Sequence, residues 1–237
     1  MVKWFGIKNS IWLDYQAVLI VGRRRTGKSS LLAMICSEAL SRGYKVYSNY
    51  PIDGALKVPK MRLKDGRFVT DKSFFYNNPD LKDSFLLIDE VMNVWNSRSW
   101  GKWTEDDSDF FNFLGKQNCK VFMVTQAYDC VDLNVRRSID MTWFVRPSLL
   151  PHCSIVEMEY HDLCKVEHME SRVLDTRYMQ VSYESCVLPY ASFRFFRRKY
   201  YPLFYTLYTE QAPRRNWDTP AWHDLAFGDA DLWAVNP

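Results

Sequence analysis

The run Gly22-Arg-Arg-Arg-Thr-Gly-Lys-Ser29 places two glycines, a lysine and a hydroxyl at the spacing G-x4-G-K-[ST]. That is the chemistry of phosphate capture. Glycines let the backbone turn tightly around a phosphate, successive amides point inward, and the start of a following helix adds a positive dipole. Gly22, Arg25, Thr26, Gly27, Lys28, Ser29 and Ser30 are the candidate nucleotide contacts. Lys28 is expected to reach the β- and γ-phosphates and the Ser29 hydroxyl to bind Mg²⁺, which makes ATP and Mg²⁺ the expected cofactors. Asp89 and Glu90 follow 61 and 62 positions beyond Lys28, at the end of the apolar run Phe85-Leu-Leu-Ile88. Asp89 suits an indirect Mg²⁺ contact, through an ion-bound ligand or a water, and Glu90 suits a base that polarises the attacking water. Gln126 closes a further apolar run, where a polar amide can touch the γ-phosphate or that water. Arg136, or its neighbour Arg137, is of the type that stabilises charge on a transferring phosphoryl group from an adjacent subunit. Lys28, Asp89, Glu90, Gln126 and Arg136 thus form the candidate catalytic set.

These residues need a particular scaffold. Ala17–Val21 reads as a buried strand feeding the loop, and the apolar residues from Leu31 to Cys36 as the helix leaving it. The helix should end near Ser41-Arg42, with Gly43 as its cap. Lys45–Asn49 reads as a second strand. Residues 84–88 and 119–125 read as strands that deliver their polar ends to the carboxyl edge of a sheet, where open α/β folds bind ligands. Asp106 to Gln117 looks helical, with Phe110, Phe111, Phe113 and Leu114 on its apolar face. A short helix is expected around Arg136.

Composition fits that scaffold. The 237 residues are 47% hydrophobic and 25% charged, which excludes disordered and collagen-like classes. Thirty-one Lys and Arg against 28 Asp and Glu leave +3, too small a sum to name a nucleic-acid partner. The distribution is more telling, with basic clusters at 23–25, 57–67 and 194–199. The middle cluster surrounds Asp65-Gly66 and reads as an exposed basic hairpin. The three loop arginines point either to solvent or toward DNA or a neighbouring subunit. No stretch approaches the roughly 20 apolar residues of a membrane span, and no signal-peptide run opens the chain. A soluble intracellular protein with reduced cysteines and no direct membrane insertion is expected. Aromatic residues at 16% suggest interface as well as core.

The motifs Gly22-Arg-Arg-Arg-Thr-Gly-Lys-Ser29, Leu86-Leu-Ile-Asp-Glu90, Val124-Thr-Gln126 with Val131-Asp-Leu-Asn-Val-Arg136, and Leu203-Phe-Tyr-Thr-Leu-Tyr-Thr209 together resemble the zonular-occludens-toxin-like branch of the FtsK–HerA group of P-loop ATPases. The resemblance covers roughly residues 15 to 210. It implies an α/β fold, a RecA-like P-loop NTPase whose mostly parallel sheet is flanked by helices, with antiparallel additions in the C-terminal third. It further implies a ring-shaped homo-oligomer, often a hexamer, and ATP-driven movement of DNA. Two departures stand out. The chain lacks the membrane span usual in filamentous-phage relatives, and its phosphate loop is rich in arginine. The first favours a packaging motor that drives DNA into a preformed capsid, with a capsid or portal-vertex protein as partner. It would work in the host cytoplasm and associate with the virion. The alternative is a phage assembly or extrusion ATPase acting with a membrane complex. A nucleotide-binding assembly protein and a small-molecule kinase stand behind these, and Glu90 with the Thr-Gln strand argues against the kinase.

In the C-terminal third, residues 141–145, 155–160 and 165–169 read as strands, either an extension of the sheet or an antiparallel addition to it. Cys153, His161, Cys164 and His168 are of zinc-ligating type, though their spacing matches no standard module. Arg194-Phe-Phe-Arg-Arg-Lys199 suits either a DNA backbone or a basic surface edge. Residues 1–210 are expected to form the ATPase domain, and 211–237, with several prolines and tryptophans, an arm that packs on a neighbour.

Overall fold

A computed structural model describes residues 15–62, 68–76, 78–97, 103–160 and 191–204. Strand β1 (Ala17–Val21) leads through the loop into α1 (Lys28–Ser41). β2 (Lys45–Ser48), β3 (Leu56–Lys57), β4 (Lys60–Arg62) and β5 (Phe68–Thr70) follow, then β6 (Ser84–Ile88), α2 (Glu105–Gln117) and β7 (Lys120–Thr125). A short α3 (Leu133–Arg137) precedes β8 (Met141–Pro147), β9 (Cys153–Tyr160) and β10 (Ala191–Phe196). Among the described residues, eight strands form one sheet in the order β10-β9-β8-β1-β7-β6-β2-β3. The run from β8 to β3 is parallel, while β8, β9 and β10 pair antiparallel.

β7 lies between the loop-bearing strand β1 and the acid-bearing strand β6. That insertion defines a RecA-like P-loop NTPase: a mostly parallel sheet flanked by helices, with an antiparallel extension on the β8 side.

Two-sided burial explains why β1, β6 and β7 are continuous apolar runs rather than alternating ones. Successive side chains on a strand face opposite ways. Val18 and Ile20 therefore pack with Leu31, Leu32, Ile35 and Ala39 of α1 on one face. Ala17, Leu19 and Val21 pack with Phe110, Phe111 and Leu114 of α2 on the other. α1 ends where Gly43 takes a φ of 82° and its N–H returns to the Leu40 carbonyl. Only a residue without a Cβ adopts that turn at little cost. The basic segment does form an antiparallel pair, β4 with β5, in the register Lys60↔Thr70 to Arg62↔Phe68. Its tip lies outside the described residues, as do residues 165–169, 205–209 and the expected arm at 211–237.

Part of the high aromatic content goes into the core under α2. Trp95 stacks on Phe75 at 5.5 Å between centroids and meets Phe110 and Phe111 at 6.1 and 5.3 Å. Beside this cluster Asp107 is wholly buried. Thr104 caps α2 by accepting from the Asp107 N–H, and the Asp107 carboxylate accepts in return from the Thr104 N–H. The same carboxylate accepts from Trp95 Nε1 at 2.7 Å, Tyr76 OH at 2.7 Å and Lys72 Nζ at 2.9 Å. Desolvation pushes the Asp107 carboxyl up. The hydrogen bonds from Trp95, Tyr76, Lys72 and Thr104 outweigh it and hold the group below its ordinary range. One carboxylate thereby ties the segment after β5, the segment after β6 and the start of α2 together.

Asp107→Ala should cost about 3 kcal/mol at pH 7, because it strands the Lys72 cation, the buried Trp95 donor and the half-buried Tyr76 donor. A depressed carboxylate contributes above its unfolded value, about 3.9, and that contribution fades as pH falls through the lower folded value. Urea unfolding should therefore show wild type and variant converging in strongly acidic solution.

Candidate nucleotide site

The polar ends of β1, β6, β7 and β2 meet at the carboxyl edge of the sheet. Gly22 closes β1, and its N–H donates to the Thr125 carbonyl at the tip of β7. A Cβ at Gly22 would stand 2.7 Å from the Val145 carbonyl and 2.9 Å from Thr26 Oγ1, so a side chain cannot fit between β1 and β8 there. Gly27 has φ 102°. The Arg23 carbonyl accepts from Thr26 Oγ1 at 2.8 Å and Lys28 Nζ at 2.9 Å, which curls the loop around its own first turn.

Lys28 is 8% exposed. Burial lowers its pKa, while Asp89 and Glu90 raise it and Arg24 lowers it further. A cation partly stripped of water suits a polyanionic ligand. Asp89 sits at the end of β6 and hydrogen-bonds the Ser29 side chain. Desolvation and the adjacent Glu90 push its pKa up to about 6, against the pull of Lys28. Asn49, just beyond β2, holds the Asp89 backbone from both sides: its Oδ1 accepts from the Asp89 N–H at 2.7 Å, and its Nδ2 donates to the Asp89 carbonyl at 3.0 Å. Ser29 and Asp89 bring two hard oxygen donors to the end of the phosphate loop, and that donor set fits Mg²⁺. Such an ion supplies charge neutralisation on a bound polyphosphate.

Glu90 adopts the left-handed region at φ 50° and ψ 60°. A non-glycine residue there is strained, and such strain concentrates where geometry serves function. Its Oε1 accepts from Gln126 Nε2 at 2.6 Å, and Gln126 Oε1 in turn accepts from Arg24 Nε at 2.9 Å. A cation of the phosphate loop, an amide at the tip of β7 and a carboxylate beyond β6 are thus joined in one line.

Lys28, Ser29, Asp89, Glu90 and Gln126 come together at this edge. Thr26 and Ser30 are buried in the loop and helix start. Arg23, Arg24 and Arg25 are exposed. Arg136 lies apart on α3 with its guanidinium 5.1 Å from the centre of the Tyr128 ring. Cys153 is buried at the start of β9, while His161, Cys164 and His168 lie outside the described residues. The contacts made by Arg24 and Asn49 were not read from the sequence. Asn49 stands at the end of a predicted strand, which is the one signal that pointed to it.

Fold and loop together define the class, a P-loop NTPase of RecA-like topology. The profile of the zonular occludens toxin (Zot) family matches residues 17–147, more than half of the chain, and the protein belongs to that family. The candidate site described above therefore lies within the Zot-family domain. Among solved structures the chain is similar to the N-terminal domain of zonular occludens toxin from Neisseria meningitidis, with 18% identity, 65% of this chain and 90% of that one covered, and a TM-score of 0.48. It is also similar to the genome packaging NTPase B204 of Sulfolobus turreted icosahedral virus 2 in complex with AMPPCP, with 11% identity, coverage of 78% and 94%, and a TM-score of 0.45. The flagellar accessory protein FlaH of Methanocaldococcus jannaschii matches at 13% identity, coverage of 63% and 80%, and a TM-score of 0.44. No curated protein matches significantly.

The raised Asp89 carboxyl sets a pH dependence. A protonated Asp89 cannot contribute charge to a Mg²⁺ site, so Mg·ATP affinity should drop about tenfold per unit once pH falls below about 6. Fold stability runs the other way: a folded pKa above the unfolded value favours the fold at low pH, and that gain is lost as pH rises through about 6. Titration calorimetry between pH 5 and 7.5 checks the first trend, and Asp89→Asn should flatten it.

Proposed function

We propose that this protein is an ATP-hydrolysing, oligomeric DNA translocase serving the assembly of virus particles. The line Arg24–Gln126–Glu90 carries the reading. It gives the proposed base a fixed orientation and ties it to the loop that holds the phosphates, so that hydrolysis and loop geometry change together. Lys28 binds the β- and γ-phosphates, and Ser29 and Asp89 hold Mg²⁺. Glu90 takes the proton of the attacking water, and Gln126 senses the γ-phosphate. Arg136 acts in trans on the neighbouring subunit's nucleotide, in a ring for which a hexamer is the natural proposal.

Exposed Arg23, Arg62, Arg194, Arg198 and Lys199 support DNA as the moved polymer, since sequence-independent backbone contact needs dispersed cations rather than a high net charge. The packaging form of this reading has the motor acting from the host cytoplasm on a capsid or portal-vertex protein. Family membership supports a second form, an assembly or extrusion ATPase working with a membrane complex. Among the described residues no helix is long and apolar enough to cross a membrane.

Glu90→Gln should lower ATP turnover by about 10²- to 10⁴-fold while leaving ATP binding intact. Lys28→Ala should remove binding itself. Gln126→Ala should lower turnover and remove its stimulation by DNA. Steady-state hydrolysis with and without DNA measures all three. Wild-type protein that binds ATP but never hydrolyses it, in either condition, would exclude the motor.

A further inference from the structure

The phosphate loop is gripped from outside by residues far away in sequence. The guanidinium of Arg197, in the 3₁₀ turn Arg197–Leu203, donates from Nη1 to the Arg25 carbonyl at 2.8 Å. Ser154 of β9, wholly buried, donates from Oγ to the Thr26 carbonyl at 2.5 Å. The stem of Arg197 also lies against Gly27, where a Cβ would stand 2.4 Å from Arg197 Cδ and 2.9 Å from Ser154 Oγ. These are two successive carbonyls of the loop, at the point where Arg25 (φ 63°) and Gly27 (φ 102°) both take left-handed backbone.

We propose that Arg197 and Ser154 are positioning residues of the phosphate loop, which hold the Arg25 and Thr26 carbonyls outward and so aim the Gly27 amide at the nucleotide phosphates. The inference rests on the nucleotide-binding reading above. In a trans peptide the carbonyl of one residue and the N–H of the next point in opposite directions. Fixing Thr26 O on the Ser154 side therefore turns the Gly27 N–H to the opposite side. Without these outside donors the loop carbonyls are left to compete for the same inward space as the ligand, and the left-handed Arg25 depends on the turn that Thr26 closes on the Arg23 carbonyl.

The grip is mounted on the sheet that carries the loop. Ser154 pairs with Phe195 across β9 and β10, β9 pairs with β8, and β8 pairs with β1. The Arg197 N–H donates to the His152 carbonyl, which fixes the turn just beyond β10. Arg197 Nε is buried and has no partner among the described residues, so the guanidinium keeps an unspent donor beside the loop. Arg197, in the middle of the basic cluster 194–199, is thereby engaged at the loop, while Arg194, Arg198 and Lys199 stay exposed.

Binding of a fluorescent ATP analogue with Mg²⁺, steady-state hydrolysis and thermal melting on the full chain test this. Arg197→Ala and Ser154→Ala should each weaken analogue binding by about tenfold and raise KM, with kcat within about twofold, because the aimed amide contacts ground state and transition state alike. The double variant should lose less than the product of the two, since both act on one element. Arg197→Lys, which can still donate to the Arg25 carbonyl, should restore part of the affinity, and Lys82→Ala, at an exposed site elsewhere, should change nothing. If Ser154→Ala loosens the core, Arg197→Ala and Arg197→Lys with unchanged melting still decide. Arg197→Ala binding as tightly as wild type, while Lys28→Ala does not bind, overturns the positioning role and leaves the nucleotide site standing. Failure of the wild type to bind the analogue overturns both.

Discussion

The hydrogen bond from the Gly22 amide to the Thr125 carbonyl joins the first residue of the phosphate loop to the tip of β7. Everything at the site is measured from that junction. It exists because β1 and β7 run parallel in the register Val21↔Thr125, and that register is kept by apolar side chains buried on both faces. Were β7 displaced by one residue, Gln126 would move to the wrong height relative to both Arg24 and Glu90. A pattern of valine, leucine and isoleucine in the core thus sets the position of a polar amide at the edge.

The antiparallel extension serves the same edge from the other side. β8 backs the loop through the tight contact at Gly22, β9 brings Ser154 under Thr26, and β10 sends Arg197 over Gly27. An extension that reads as mere enlargement of the sheet becomes the outer wall of the phosphate loop. On the far side of β6, Asp107 fixes the segment carrying Trp95, which starts directly after the strained Glu90 turn. The loop and the acidic turn are each held by groups that touch no phosphate.

How much of this was legible in the sequence follows from how local each feature is. The phosphate loop, the acidic strand end and the Thr-Gln strand could be read because each is a contiguous run whose chemistry lies in its own residues. Strand order could not, since burial on both faces makes β1, β6 and β7 look alike. The roles of Asn49, Ser154 and Arg197 depend on that order and so stayed hidden. β10 left a fainter trace: Phe193 and Phe195 turn inward while Ser192 and Arg194 are exposed, an alternation of period two that the basic composition of the segment obscured. In the sequence Asp107 reads only as part of a helix, because its partners come from segments up to 35 residues away.

Gln126 stands between a guanidinium and a carboxylate, and an amide has two unlike ends. Its oxygen can face only the cation and its NH₂ only the anion, so the line has a single permitted sense. Turning the amide over sets donor against donor at Arg24 and acceptor against acceptor at Glu90, which converts two attractions into two repulsions. The connection between loop and acid is therefore polarised, with a cation end and an anion end. A glutamate in place of Gln126 would be welcome at the Arg24 end and rejected at the Glu90 end.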